Sequence, residues 1–250
     1  MNNNSSTITL DCLLPSMGLI YEKEIDPHIK LRSMTTLDEM KRLSKSDNQY
    51  QNMAELIDNC NLSDTGLSAY DMCLSDYKYL IYKLREVTYG SIYKLAAMCP
   101  YCGSQTVEEI DLSAINSIEY TDELDQYRNL TLSNGDKLLL NYQTPRMLDK
   151  VAEHIRLNNK RGKNTTLNTT LLYSIYYLIN KKNNERIEAV EKEEWIKNLP
   201  MADTNLILTS SDKFVNGFGL DLNIEYECDV CGATSPLEVK ITSEFFRPAL

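Results

Sequence analysis

"MCPYCGS" spans residues 98–104, and the reading of its two cysteines decides the fold. Cys99-Pro-Tyr-Cys102 has the letters of a glutaredoxin dithiol, yet the motif returns once: Cys99-Pro-Tyr-Cys102-Gly103 is echoed by Cys228-Asp-Val-Cys231-Gly232. Each C-x-x-C-G follows an extended-looking segment ("IYKLAAM", "LDLNIEYE") and precedes another ("VEEIDL", "LEVKIT"). That is a zinc-knuckle arrangement. A tight turn aims both sulfurs one way, and glycine lets the chain turn back without a Cβ clash. Two facing knuckles would place Cys99, Cys102, Cys228 and Cys231 around one zinc ion, a closed tetrahedral site of four thiolates that stabilises rather than catalyses. A redox dithiol would sit at a helix N-terminus, which lowers the thiol pKa. Here Cys102 leads through Gly-Ser-Gln-Thr into a strand, and a second C-x-x-C would go unexplained. Two unliganded pairs are the remaining alternative. The stretch from Gly103 to Glu227 exceeds the usual ribbon spacing, and an insertion that leaves one half of the ribbon and returns to the other accounts for it.

Outward from the knuckles, the expected fold class is α+β: zinc-ribbon-like β-hairpins with a helical insertion and a mixed α/β N-terminal region. The expected division is residues 1–98 for that N-terminal region, 99–143 with 219–250 for a discontinuous ribbon domain, and 144–218 for the insertion. "LLPSMGLIYEKEI" reads as strand–turn–strand around Pro15 and Gly18. Thr36 and Glu39 have capping-box spacing, and Tyr50, Met53, Ile57 and Cys60 share one helix face. The strongest helical signal runs from Tyr70 to Arg85, with Cys73 on its apolar stripe as a core residue and Gly90 as the stop. Arg85 reads as a solvated helix end in preference to the buried partner of an acidic group. "NLTLSNGDKLLLNY" predicts a hairpin turning at Asn134-Gly135. Thr144-Pro145 opens a helix with Thr as N-cap and Pro at its first position. Three more short helices follow through "LLYSIYYLI", "ERIEAVEKEEWIKNL" and "DTNLILTSSDKF". Alternation from Leu220 to Glu227 then predicts one half-buried strand.

Composition narrows the function classes. With 42% hydrophobic and 25% charged residues the chain reads as a soluble globular protein. No apolar run reaches the roughly 20 residues of a membrane span, and the N-terminus does not read as a signal peptide. Seven cysteines, three of them isolated (Cys12, Cys60, Cys73), suit a reducing cytosol better than a disulfide framework. The net charge of −10 argues against a protein devoted to coating nucleic acid or anionic membrane. Eight Lys/Arg between Thr144 and Lys182 are set against only Asp149 and Glu153, while "EYTDELDQY" is acidic; docking surfaces of opposite sign and plain solvated faces are the two readings. His28 and His154 lack any nucleophile or acid at recognisable spacing and read as surface or packing residues. No P-loop, G-x-G-x-x-G, H-E-x-x-H or G-x-S-x-G occurs, so no catalytic residue is expected. Sixteen tyrosines against four phenylalanines suit contact surfaces, since Tyr offers area with a polar tip.

Four segments in order, "LLPSMGLIY", "LRSMTT", "SDYKYLIYKLREVTYGSIYKLAAMCPYCG" and "SEFFRPAL", resemble the baseplate hub and hub-assembly proteins of T-even-like contractile-tailed bacteriophages. The resemblance covers the first half and the closing stretch, and the insertion only in outline. It implies a non-enzymatic virion or assembly component of the tail baseplate, assembled in the bacterial host cytoplasm. Its partners would be other hub, tube, wedge or baseplate proteins in a hetero-oligomer, with no membrane span. The zinc expectation rests on the four cysteines of this sequence alone. A different reading, a zinc-ribbon nucleic-acid-binding or transcription-associated module, draws on the ribbon and on the basic loop "NNKRGKN". The net charge and the lack of aromatics among those basic residues weigh against it.

Overall fold

The computed structural model describes residues 8–162, 166–237, 239, 241 and 243–246. Among them, helices and small antiparallel sheets alternate along the chain, the expected α+β class. Strand β1 (Thr9–Leu13) pairs antiparallel with β2 (His28–Arg32), whose Ile29 and Leu31 turn inward while His28 and Lys30 face out. In the turn between them Gly18 has φ +72°, and a Cβ there would strike the Ile25 carbonyl oxygen, so only glycine fits.

Helix α1 (Thr36–Arg42) begins one residue earlier than the Thr36/Glu39 spacing suggests: the N-cap is Thr35 and its capping-box partner is Asp38. Asp38 wins because the same buried carboxylate also takes the Arg32 guanidinium at 2.7 Å and the Thr35 N–H at 2.8 Å. Glu39 instead accepts two hydrogen bonds from Arg42. Helix α2 (Gln49–Cys60) buries Ala54, Leu56, Ile57 and Cys60 as one face.

Helix α3 (Leu74–Tyr89) is the spine of the protein, and Tyr77, Leu80, Ile81 and Leu84 on it are buried. It starts four residues later than its apolar periodicity suggests, because residues 69–71 form a turn. Gly90, with φ +87°, ends it as expected. Asp76, inside the first turn of α3, is fully buried and accepts hydrogen bonds from the Ser16 N–H (2.9 Å), the Ser16 hydroxyl and the Tyr21 hydroxyl (2.6 Å). Desolvation pushes its carboxyl above the usual range. This network pins the β1–β2 turn onto the spine.

Arg85 differs from its sequence reading. It is not a solvated helix end but the largest fully buried side chain among the described residues, and it donates to the backbone carbonyls of Gly90, Ile92 and Phe245. The guanidinium also lies 5.4 Å from the Tyr93 ring centroid. A charge held by carbonyls and an aromatic face leaves no acidic partner in the sequence to betray its burial.

Strands β3 (Ile92–Met98) and β4 (Gln105–Asp111) form a hairpin around the first cysteine pair. A short β5 (Ser117–Ile118) follows, then β6 (Asn129–Thr131) and β7 (Lys137–Leu140), joined by the Asn134-Gly135 turn with Gly135 at φ +87°. Thr144 caps helix α4 (Pro145–Lys160) through the Met147 N–H, with Pro at the first turn. Helix α5 (Thr166–Leu178) runs directly into β8 (Ile179–Lys182), which adds a third strand beside β7. That strand was not expected: "LLYSIYYLIN" is apolar almost throughout, with no turn residue to divide helix from strand. The basic loop "NNKRGKNTT" lies partly outside the described residues.

Helices α6 (Ala189–Lys197) and α7 (Met201–Asn216) complete the helical series. The single strand expected from Leu220 onward is two pieces: β9 (Gly219–Leu220), paired with β5, and β10 (Ile224–Glu227), paired with β11 (Thr234–Leu237). Asp221 causes the break, since its carboxylate takes the Asn223 backbone and side-chain N–H groups and turns the chain. Within "LEVKIT" and "SEFFRPAL", residues 238, 240, 242 and 247–250 lie outside the described residues.

Buried side chains gather in two cores. The larger surrounds α3 and draws on β1–β2, α2, the two cysteine hairpins, the end of α7 and Phe245–Phe246. The smaller joins Leu130, Leu132, Leu138 and Leu140 to Ile175, Leu178, Ile179, Ile196 and Ile207. The β6–β7 hairpin therefore packs against α5–α7, while Cys99 and Cys228 belong to the larger core.

Candidate metal centre

The two C-x-x-C-G turns fold alike. In the first, Cys99 N–H donates to Ser104 O (2.9 Å) and Gly103 N–H to Cys99 O (2.9 Å). In the second, Cys228 N–H donates to Ala233 O (3.0 Å) and Gly232 N–H to Cys228 O (2.8 Å). Gly103 and Gly232 take φ +73° and +67°, left-handed values that an L side chain resists. Space is not the constraint, for a Cβ would meet nothing at Gly103 and only the Glu227 carboxylate at Gly232, 3.8 Å away.

The hairpins β3–β4 and β10–β11 share no strand pairing, but their turns face each other. Cys99 Sγ lies 3.7 Å from Cys231 Sγ, and Cys102 Sγ lies 3.7 Å from Cys228 Sγ. All four sulfurs fall within 4.8 Å of one another. Tetrahedral coordination with Zn–S bonds of about 2.3 Å separates sulfurs by about 3.8 Å, so the close contacts across the turns match the edges of such a tetrahedron. Cys99 and Cys228 are buried, Cys102 and Cys231 exposed. A redox dithiol would need a helix behind it; both pairs are instead followed by strands. The four thiols could hold one metal ion.

The electrostatics favour a cation there. Hydrogen bonding from the Ser104 hydroxyl, with help from the Cys231 and Val230 N–H groups, brings the Cys228 thiol down to about 6. The Ser104 hydroxyl and N–H likewise lower Cys102. Cys231, although the Ala233 N–H favours its thiolate, is pushed up to about 12 by desolvation and by the three neighbouring sulfurs. Four thiolates this close repel one another, and a divalent ion removes that conflict.

Ser104 is the residue that motif reading missed. Its hydroxyl sits 3.0 Å from Cys102 Sγ and 3.2 Å from Cys228 Sγ, bridging one turn to the other. Its counterpart in the second turn is Ala233, so the bridge is one-sided. Comparing the residues after each glycine, Ser against Ala, was the available signal. In the strands of the two hairpins, the buried hydroxyls of Thr106, Tyr226 and Ser235 have no hydrogen-bond partner among the described residues. The tips carry exposed apolar side chains, Tyr101 at 72% and Val230 at 70% exposure.

The remaining candidates stay apart from this centre. Burial raises Cys12 and Cys60 to about 12 and about 11 and also raises Cys73, which disfavours the thiolate at all three. His28 is exposed beside Asp26 at 3.0 Å. His154 stacks on Tyr173, with ring centroids 3.5 Å apart, and meets the Tyr177 hydroxyl at 3.0 Å, a packing role. Among the described residues no helix is long and apolar enough to cross a membrane.

Comparison with known proteins gives one result. The family described as "T4 bacteriophage base plate protein" matches residues 6–247, nearly the whole chain. No curated protein matches the chain. No solved structure matches it either. The ordered segments of the first half and the two cysteine turns all lie within the matched span, and the chain belongs to the T4 bacteriophage base plate protein family.

Proposed function

We propose that the protein is a non-enzymatic component of the hub region of a phage tail baseplate, held together by a structural zinc ion on Cys99, Cys102, Cys228 and Cys231. Family membership makes it a tail component with other tail proteins as partners. The observation that carries the metal reading is the pair of 3.7 Å sulfur contacts made across, not within, the two turns. A zinc ion bound there has no open position for substrate, so it supplies stability alone. Thiolate donors favour zinc over the hard ions magnesium, calcium and manganese. The protein acts through its surfaces, being assembled onto its neighbours in the host cytoplasm. Elemental analysis of the native protein tests the metal: one zinc per chain is expected, lost on Cys99→Ser or Cys228→Ser. Sedimentation with hub, tube and wedge proteins tests the assembly role, and a protein that stays monomeric in their presence would refute it.

A further inference from the structure

A groove of about 1130 Å³ opens between the α1–α2 connection, α2, α3 and α4. Its floor is Leu74, Tyr77 and Ile81 on α3, and Met53 and Leu148 form part of its walls. Leu43 and Tyr50 stand on its rim, 63% and 38% exposed. This volume exceeds the about 300–1,000 Å³ of a typical small-molecule pocket, and the site is open along one side, so it suits a length of polypeptide better than a metabolite.

The charge in the groove runs against that of the chain. Four charged side chains line it: Arg42, Lys45, Asp47 and Lys78. Arg42 is matched by Glu39, and Asp47 by Arg156. Lys45 and Lys78 make no ion pair among the described residues, and Lys78 is half-buried on the spine helix itself. A half-buried, unmatched ammonium in a protein of net charge −10 is a position where an incoming carboxylate gains most. The lining elements are mainly helices and the connection between two of them, so no free strand edge is available for an added strand. A helix laid across the groove can bury its apolar face and keep its backbone satisfied.

We propose that this groove receives an acidic amphipathic helix from another protein. Its apolar residues, spaced at i, i+3 or i+4 and i+7, cover Leu43, Tyr50 and the half-buried Met53 above the buried floor, and its carboxylates meet Lys45 and Lys78. Only the partner's identity as a tail protein rests on the baseplate reading; the groove does not depend on the metal.

The test is site-specific photo-crosslinking with benzoylphenylalanine in place of Leu43 or Tyr50, in phage-infected cells, with Val190 on α6 as the exposed control (88% exposed). Sequencing the attached peptide is expected to show one segment of a different tail protein, with net negative charge and apolar residues at helical spacing. The Lys45→Glu, Lys78→Glu double variant is expected to lower the yield about fivefold or more, with the circular dichroism spectrum unchanged. A cross-link to a second copy of this chain, a neutral or basic peptide, or a yield no higher than at Val190 would each overturn the proposal. Zinc content, measured on the same samples, is unaffected by the groove variants. A failed groove therefore leaves the metal reading standing, and the reverse also holds.

Discussion

Loss of the proposed metal is expected to release two hairpins that no strand pairing joins among the described residues. Cys102 and Cys228 lie 126 residues apart, so an ion joining them closes a loop of that length. A cross-link of this span removes about 5 kcal/mol of chain entropy from the unfolded state at 25 °C. Two-stranded hairpins are marginal on their own, and β3–β4 and β10–β11 share no ladder to offset the loss. Domains are stable by only about 5–15 kcal/mol in total. Chelation, or Cys228→Ser followed by desalting, is therefore expected to cost about 5 kcal/mol, which moves the urea midpoint down by about 2 M at a slope of about 2.5 kcal/mol per M. The assay is urea unfolding followed by near-ultraviolet circular dichroism, with zinc counted by elemental analysis before each run. Because Cys99 and Cys228 lie in the larger core, the aromatic signal of Tyr82, Tyr93 and Phe245 is expected to melt first. Equal midpoints for native and chelated protein, or one tightly held zinc in Cys228→Ser, would refute the reasoning.

Three other outcomes follow from the geometry. Ser104→Ala removes a hydroxyl shared by two sulfurs of opposite turns, and metal affinity is expected to fall about tenfold or more with the fold intact, measured by competition with a chromophoric chelator. Arg85→Met strips three backbone carbonyls of their donor and is expected to cost about 3 kcal/mol or more in denaturant unfolding. Asp38 is held from 3.8 down to about 2, chiefly by the Arg32 guanidinium and then by Thr35. Its folded value lies below its unfolded one, so its stabilisation is complete above about pH 4 and drains away as pH falls towards about 2. Asp38→Asn is expected to flatten that part of the stability–pH curve, as thermal melts across the range can show.

The clustering of the four cysteines was legible in the sequence because a repeated motif needs no tertiary information: C-x-x-C-G occurs twice, between segments that read as extended. Thr144-Pro145 and Asn134-Gly135 were legible for the same reason, since cap and turn chemistry act over a few residues. Where a long-range partner decides the outcome, local signals point elsewhere. Thr36 and Glu39 have sound capping spacing, but Arg32 on a neighbouring strand selects Asp38. Arg85 looks like any helix-end arginine, because the carbonyls that bury it belong to residues 90, 92 and 245. Strand β8 (Ile-Asn-Lys-Lys) follows an apolar helix with no turn residue to mark the change and too little alternation to announce a strand; it forms where β7 offers it an edge. Ser104 acts through a sulfur in the opposite turn, which only the folded chain brings within reach.

The separation of the two cysteine pairs also orders events during synthesis. A ribosome adding about 5–20 residues per second needs about 6–25 s to travel from Cys102 to Cys228. Throughout that interval the first pair offers two donors of the four, too few for a closed site. The proposed metal can join the two hairpins only once the second pair has been made. On the zinc reading, a chain interrupted before Cys228 is expected to hold no ion, since the first turn alone offers half of the four-sulfur set.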